Sequence, residues 1–250
     1  MKIRRPSMLG TMSLLAALVL LTTSGCAAWR IKQSAELARQ SEPFQVAPAG
    51  ARATLLVVGD STAVGTGASA PANSVAGLIA RDHPHLQVVN RARDGAKYED
   101  IARQLDGPAG ERFDAILVLG GGNDVIRLTP YAPLEESIAR VAALARTQAG
   151  LVVLMPSGNV GSAPFFFPPW SWLMTQRSKT LHRFVREIAA DNGALYVNLY
   201  KEKSEDPFAQ RPEELNAKDG LHPSDAGYRL WYAELNTQAD LSRRLAALAR

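Results

Sequence analysis

Residues 54–62 read Thr54-Leu55-Leu56-Val57-Val58-Gly59-Asp60-Ser61-Thr62. A short run of Leu and Val without polar alternation is the pattern of a strand buried on both faces, as at the centre of a parallel sheet. Gly59 closes the run, and Asp60-Ser61 opens a turn directly after it. Four similar runs follow at Leu86–Asn90, Ala115–Gly120, Leu151–Met155 and Ala194–Leu199. Segments with apolar residues at helical spacing separate them: Ser74–Asp82, Tyr98–Leu105, Leu134–Gln148 and Thr180–Asn192. Two more, Ser224–Asn236 and Asp240–Arg250, follow the last run. Strands alternating with helices predict an α/β fold, a parallel sheet covered by helices on both faces.

The 250 residues fit one domain, and 46% apolar and 21% charged residues are ordinary for a globular chain. The first 26 residues read differently. Lys2, Arg4 and Arg5 form a basic start, Met8–Leu21 is uncharged and mostly apolar, and small residues lead to Cys26. This is the layout of an export signal. Its apolar core is shorter than the roughly 20 residues that span a bilayer. Cys26 is the one cysteine of the chain, which excludes an intramolecular disulfide. Small residues before a cysteine resemble the bacterial lipobox, with Thr23 where that pattern prefers Leu. The resemblance implies lipidation at Cys26, export to the periplasm or cell envelope and membrane association through the N-terminus. Cleavage by ordinary signal peptidase nearby, for example after Ala28, giving a secreted chain, and an uncleaved anchor are the alternatives. The signal carries three of the 28 basic residues and none of the 24 acidic ones, so the rest of the chain is near neutral and offers no basic field for nucleic acid. Residues 27–52 read as a tether: Trp29–Gln40 suits a short helix, and Pro43, Pro48 and Gly50 break the pattern. The domain is then 53–250.

In open parallel sheets, ligands bind beyond the carboxyl ends of the strands. Ser61 follows the first run, Asp94-Gly95 the second and Gly121-Gly122-Asn123-Asp124 the third, so all three reach one edge. A serine hydroxyl needs a neighbouring base to become a nucleophile, and imidazole suits the task. Asp219-Gly220-Leu221-His222 places a carboxylate three residues before a histidine, a spacing that meets on one face of a helical turn. The Ser61 amide, the Gly95 amide and the Asn123 side chain are candidate donors to a developing oxyanion. These residue types point to nucleophilic hydrolysis.

The blocks resemble the SGNH, or GDSL-like, hydrolase superfamily over about residues 54–230. Gly59-Asp60-Ser61 corresponds to its nucleophile block and Gly95 to the glycine of its second block. Gly121-Gly122-Asn123-Asp124 corresponds to its G-x-N-D block, and Asp219-Gly220-Leu221-His222 to its D-x-x-H block. The resemblance implies a flavodoxin-like three-layer α/β/α sandwich with a five-stranded parallel sheet. It implies Ser61 as nucleophile, His222 as base and Asp219 as its orienter. Ser61, Gly95 and Asn123 would form the oxyanion hole, with no metal or cofactor. The expected activity is ester hydrolysis of a carboxylesterase or lysophospholipase type on a small-molecule, lipid or acylated-glycan ester. An O-acetylesterase or acyltransferase on envelope carbohydrate, and a non-catalytic binding module, are the competing readings.

Other features count against other classes. The glycine clusters lack the Lys-Ser/Thr of a phosphate loop and the G-x-G-x-x-G of a dinucleotide site, and no zinc pattern is present. The G-x-S-x-G elbow of α/β-hydrolases is missing around Ser61. His83 and His85 read as a surface turn, His182 as an exposed helical residue, and Arg177 as solvating a helix start. Pro164-Phe165-Phe166-Phe167-Pro168-Pro169-Trp170 follows the fourth run. Phe165, Phe166, Phe167 and Trp170 are candidate substrate-binding residues at the active edge; a loop folded over its own core is the alternative.

Overall fold

A computed structural model describes residues 29–108 and 110–248. Cys26 and the export signal lie outside the described residues.

Five parallel strands form one sheet: β1 (Ala53–Gly59), β2 (Leu86–Asn90), β3 (Phe113–Gly120), β4 (Ala149–Pro156) and β5 (Leu195–Tyr196), in the order β2-β1-β3-β4-β5. The helices are α1 (29–40), α2 (Ser61–Val64), α3 (Val75–Asp82), α4 (Tyr98–Gln104), α5 (Gly122–Ile126), α6 (Tyr131–Gln148) and α7 (Trp170–Asp191). Then come α8 (Pro207–Gln210), α9 (Pro212–Leu215), α10 (Asp225–Ala239) and α11 (Leu241–Leu248). This is the expected three-layer sandwich.

The strands alternate two by two between layers. Leu55 and Val57 of β1, Leu117 and Leu119 of β3, and Val153 and Met155 of β4 pack with α3, α10 and α11. Leu56 and Val58, Ile116 and Val118, and Val152 and Leu154 face α4, α6 and α7. All twelve are buried, each such side chain contributing about 1.5–3 kcal/mol by leaving water. Burial of both faces is why these strands read as unbroken apolar runs. Helix α6 presents Leu134, Ile138, Val141, Ala142 and Ala145 inward, a stripe at helical spacing.

Three elements differ from the sequence expectation. Strand β5 keeps two residues, paired with Val153 and Leu154 of β4. Helix α7 begins ten residues before Thr180. Its first turns leave Trp170, Trp172 and Leu173 exposed while burying Ser171 and Met174, so the apolar residues do not mark the inner face. Over its described part, the expected tether lies against the domain. Phe44 packs on the α3/α10 core, and Val46 pairs with Val88 on the outer edge of β2.

Chain order places β2 on one side of β1 and β3 on the other. The loops after β1 and β3 therefore diverge at a crevice between their carboxyl ends, the ligand position of this topology.

Candidate active site

Gly59 brings β1 to this crevice. Its φ is +154°, and a Cβ there would lie 1.8 Å from the Leu119 carbonyl oxygen, so only glycine lets β1 turn against β3. Gln104 of α4 clamps the same residue, accepting from the Gly59 amide at 2.7 Å and donating to its carbonyl at 2.9 Å. Asp60 then caps α2. Its Oδ1 accepts from the Thr62 amide at 2.9 Å and the Thr62 hydroxyl at 2.7 Å, and its Oδ2 accepts from the Gly122 amide at 3.3 Å. Burial pushes the Asp60 carboxyl above its usual pKa, against the bonds from Thr62 and Gly122. This one side chain ties the turn that carries Ser61 to the turn that carries Asn123.

The loop after β2 is fixed in two places. Asn90 donates to the Ala63 carbonyl at 3.0 Å and accepts from the Ala92 amide at 3.0 Å. Asp124 accepts from the Tyr98 amide at 2.9 Å, which couples the third block to the segment behind Gly95; burial raises its carboxyl pKa. Gly95 itself has φ +76°, and a Cβ there would come within 3.1 Å of the Arg127 guanidinium.

Asp219–His222 is a bent turn rather than the helical turn expected from the spacing, with Gly220 at φ +69°. The Asp219 carboxylate builds it. Oδ1 accepts from the Leu221 amide at 3.0 Å and the His222 amide at 3.1 Å, while Oδ2 lies 2.6 Å from His222 Nδ1. Burial works to raise the Asp219 pKa, but the His222 imidazole and the two amides outweigh it, and the carboxyl is held below its usual value. Across the crevice, His222 Nε2 lies 2.9 Å from Ser61 Oγ. With Nδ1–H donated to Asp219, Nε2 carries the lone pair that accepts the Ser61 hydroxyl proton. Gly67 permits this approach, because a Cβ there would meet the Pro223 carbonyl at 2.5 Å.

Ser61, His222, Gly95 and Asn123 line one pocket of about 270 Å³. Among the described residues, neither the Ser61 amide nor the Gly95 amide is taken by a protein acceptor, so both are available to a ligand oxygen. The pocket runs on past Leu199, Phe208, Leu230 and Trp231. It also reaches Ser34 and Ala38 of α1, a helix whose docking over the site the sequence did not indicate.

The structure does not bring the aromatic loop to this pocket. Phe165, Phe166, Phe167 and Trp170 are absent from its lining. Phe166 packs against the α4/α6/α7 core, Phe165 stacks edge-on with Phe166, and Phe167 and Trp170 point to solvent, 55% and 58% exposed. After Ala163, which still lines the pocket, the chain passes through turns at 164–165 and 168–169 that carry these rings off the lining before α7 starts at Trp170. Two further expectations are corrected. His182 is buried, with Nε2 at 2.8 Å from the Ser157 carbonyl and Nδ1 at 2.7 Å from the Tyr196 hydroxyl; burial lowers its pKa to about 4. Arg177 is also buried, donating to the Thr129 carbonyl and lying over the Tyr131 ring at 4.6 Å. Among the described residues no group of three or more His, Cys, Asp or Glu is placed to hold a metal ion.

With this geometry in hand, the known proteins similar to this chain are informative. The model of the GDSL-like Lipase/Acylhydrolase family matches residues 57–230, more than half of the chain, and the chain belongs to that family. A GDSL-like esterase of Mycobacterium tuberculosis (strain ATCC 25618 / H37Rv) is 26% identical over 199 residues, which cover 77% of this chain and 61% of that relative. The match therefore spans less than two thirds of the relative's length. A lipase/acylhydrolase from Enterococcus faecalis superposes with a TM-score of 0.57 at 23% identity, covering 77% of this chain and 96% of that one. The psychrotrophic esterase EstA from Pseudoalteromonas sp., one structure of which is inhibited by monoethylphosphonate, gives 0.55 at 17%, covering 75% and 97%. These two likenesses are of fold.

Proposed function

We propose that the chain hydrolyses carboxylic esters through an acyl-enzyme on Ser61. One observation carries this reading: Ser61 Oγ, His222 and Asp219 form a continuous hydrogen-bonded chain, 2.9 and 2.6 Å, at the wall of a pocket. Ser61 Oγ bonds to the ester carbonyl carbon while its proton passes to His222 Nε2. The Ser61 and Gly95 amides and the Asn123 side-chain amide receive the charge that develops on the carbonyl oxygen. As the tetrahedral centre collapses, the bond to the alcohol breaks and His222 returns the proton to the departing oxygen. Water then attacks the acyl-enzyme, gives its proton to His222, and the acid leaves as Ser61 recovers its hydrogen. Asp219 holds the imidazole in the tautomer that each step needs.

The substrate we favour is an ester with an apolar acyl group, of the carboxylesterase or lysophospholipase type, because Leu199, Phe208, Leu230 and Trp231 form the apolar wall of the pocket. Its volume sits near the low end of the range for small-molecule pockets, about 300 Å³ and upward, and suits a modest acyl chain better than a polymer segment. Export and anchoring through Cys26 belong to the same proposal and rest on the sequence before Trp29. The test is hydrolysis of a short p-nitrophenyl ester by Ser61→Ala. Activity is expected to vanish while the circular dichroism spectrum stays unchanged; a variant that still turned over the ester would end the proposal.

A further inference from the structure

The aromatic segment that does not reach the pocket is exposed beside it. Phe167, Trp170, Trp172 and Leu173 are 55, 58, 67 and 39% exposed, and Trp29 and Ile31 of α1 are each 59% exposed. The two groups meet at Arg30, which donates to the Pro164 carbonyl and lies 4.9 Å from the Phe167 ring centroid, between its neighbours Trp29 and Ile31. Six exposed large apolar side chains within two neighbouring segments mark an interaction site. Indole and phenyl rings beside a guanidinium are the composition of groups that settle at the level of lipid headgroups.

Two further observations say what covers this face. Trp29 lies three residues after Cys26, at most about 11 Å of extended chain, and the residues before Cys26 are the apolar run of the export signal. With Cys26 acylated, as proposed above, the α1 end of the face is held at a membrane surface. The face is also continuous with the catalytic turn. The Phe165 amide donates to the Gly220 carbonyl at 3.0 Å, between Asp219 and His222. On the inner side of α1, Ser34 and Ala38 line the pocket.

We infer that this face docks on a phospholipid bilayer, with Trp29, Ile31, Phe167, Trp170, Trp172 and Leu173 inserted among the headgroups. The docked face sets the pocket mouth, under α1, against the lipid, so that an ester presented in the membrane reaches Ser61 without crossing water. The second half of this inference rests on the ester-hydrolase reading, and the docking rests on the Cys26 anchor proposed with it.

The four tryptophans allow a direct test, since Trp29, Trp170 and Trp172 belong to the face and Trp231 is buried at 7% exposure. The full chain is reconstituted into vesicles of phosphatidylethanolamine and phosphatidylglycerol, with plain or brominated acyl chains. In Trp29→Phe, bromine is expected to quench the emission strongly; when Trp170 and Trp172 are also changed to Phe, the quenching is lost. Equal quenching in the two variants, both vesicle-bound, would overturn the inference and leave only an N-terminal anchor. A second measurement needs no fluorescence. Trp172→Ser/Leu173→Ser should hydrolyse a short soluble ester at the wild-type rate but a vesicle-embedded ester at least tenfold more slowly. A parallel change on both substrates, or on neither, would contradict docking. Failure of ester hydrolysis in the wild type would leave the quenching result standing and refute only the catalytic half.

Discussion

His182 makes the folded chain sensitive to acid in a way that can be isolated. Its imidazole is enclosed between the Ser157 carbonyl and the Tyr196 hydroxyl. A carbonyl only accepts, so Nε2 carries the hydrogen. The one Tyr196 hydroxyl hydrogen has two acceptors in reach, His182 Nδ1 at 2.7 Å and Asn198 Oδ1 at 3.1 Å, and burial disfavours a charged ring. Burial lowers its pKa from 6.5 to about 4. Between those values the unfolded chain takes up a proton that the folded chain refuses, so stability falls as pH falls through the window. Integrated from neutral pH down to pH 4, the loss assigned to this one group is about 3 kcal/mol. In His182→Phe the Ser157 carbonyl loses its partner while the Tyr196 hydroxyl keeps Asn198 Oδ1, at a cost of about 1–3 kcal/mol that does not depend on pH. Urea denaturation of both proteins at steps from pH 7 to pH 4 gives two stability curves. Wild type should start higher and lose about 3 kcal/mol more than the variant across the window. The other titratable groups act equally in both and cancel. Parallel curves would refute the reasoning, since they would mean that His182 is protonated in the fold or open to water.

The machinery around Ser61 yields sharper changes. Asp219→Asn removes the acceptor that fixes the His222 tautomer and should lower kcat by about 10⁴-fold in steady-state ester hydrolysis. Asn123→Ala should lower kcat by about 10²–10³-fold with KM nearly unchanged, the mark of a donor used in the transition state. Gly59→Ala drives a Cβ to 1.8 Å from the Leu119 carbonyl and should yield no folded soluble protein, read by expression and circular dichroism. Across p-nitrophenyl esters of graded chain length, kcat/KM should rise while the acyl group extends along Leu199 and Trp231, then fall.

Much of this was legible in the chain because the candidate site residues sit where strands end. Four of the five runs are strands nearly as read, since burial on both faces leaves an unbroken apolar signature. Ser61, Asn123 and His222 stood out because each combines a reactive side chain with a glycine-bearing turn. What escaped the sequence depends on distant partners. Nothing near Arg177 announces the Thr129 carbonyl and the Tyr131 ring, and nothing near His182 announces Ser157, so both read as exposed. Gln104 clamps Gly59 from 45 residues away, within a helix whose pattern marks only its apolar stripe. Helix α1 was visible as a helix, but its docking over the pocket was not, because Ser34 and Ala38 carry no chemistry of their own. The Phe165–Trp170 segment misled in the opposite sense. Its composition suggested a substrate wall, while the turn after Ala163 sends Phe167 and Trp170 to the surface.

The central claim is that Ser61 is a nucleophile activated by His222, and covalent labelling addresses it most directly. After treatment with a fluorophosphonate, intact-mass measurement and peptide mapping should find one adduct, on Ser61, with label lost in His222→Ala and absent in Ser61→Ala. A folded wild-type chain that takes no label, or takes it at another residue, would contradict the account.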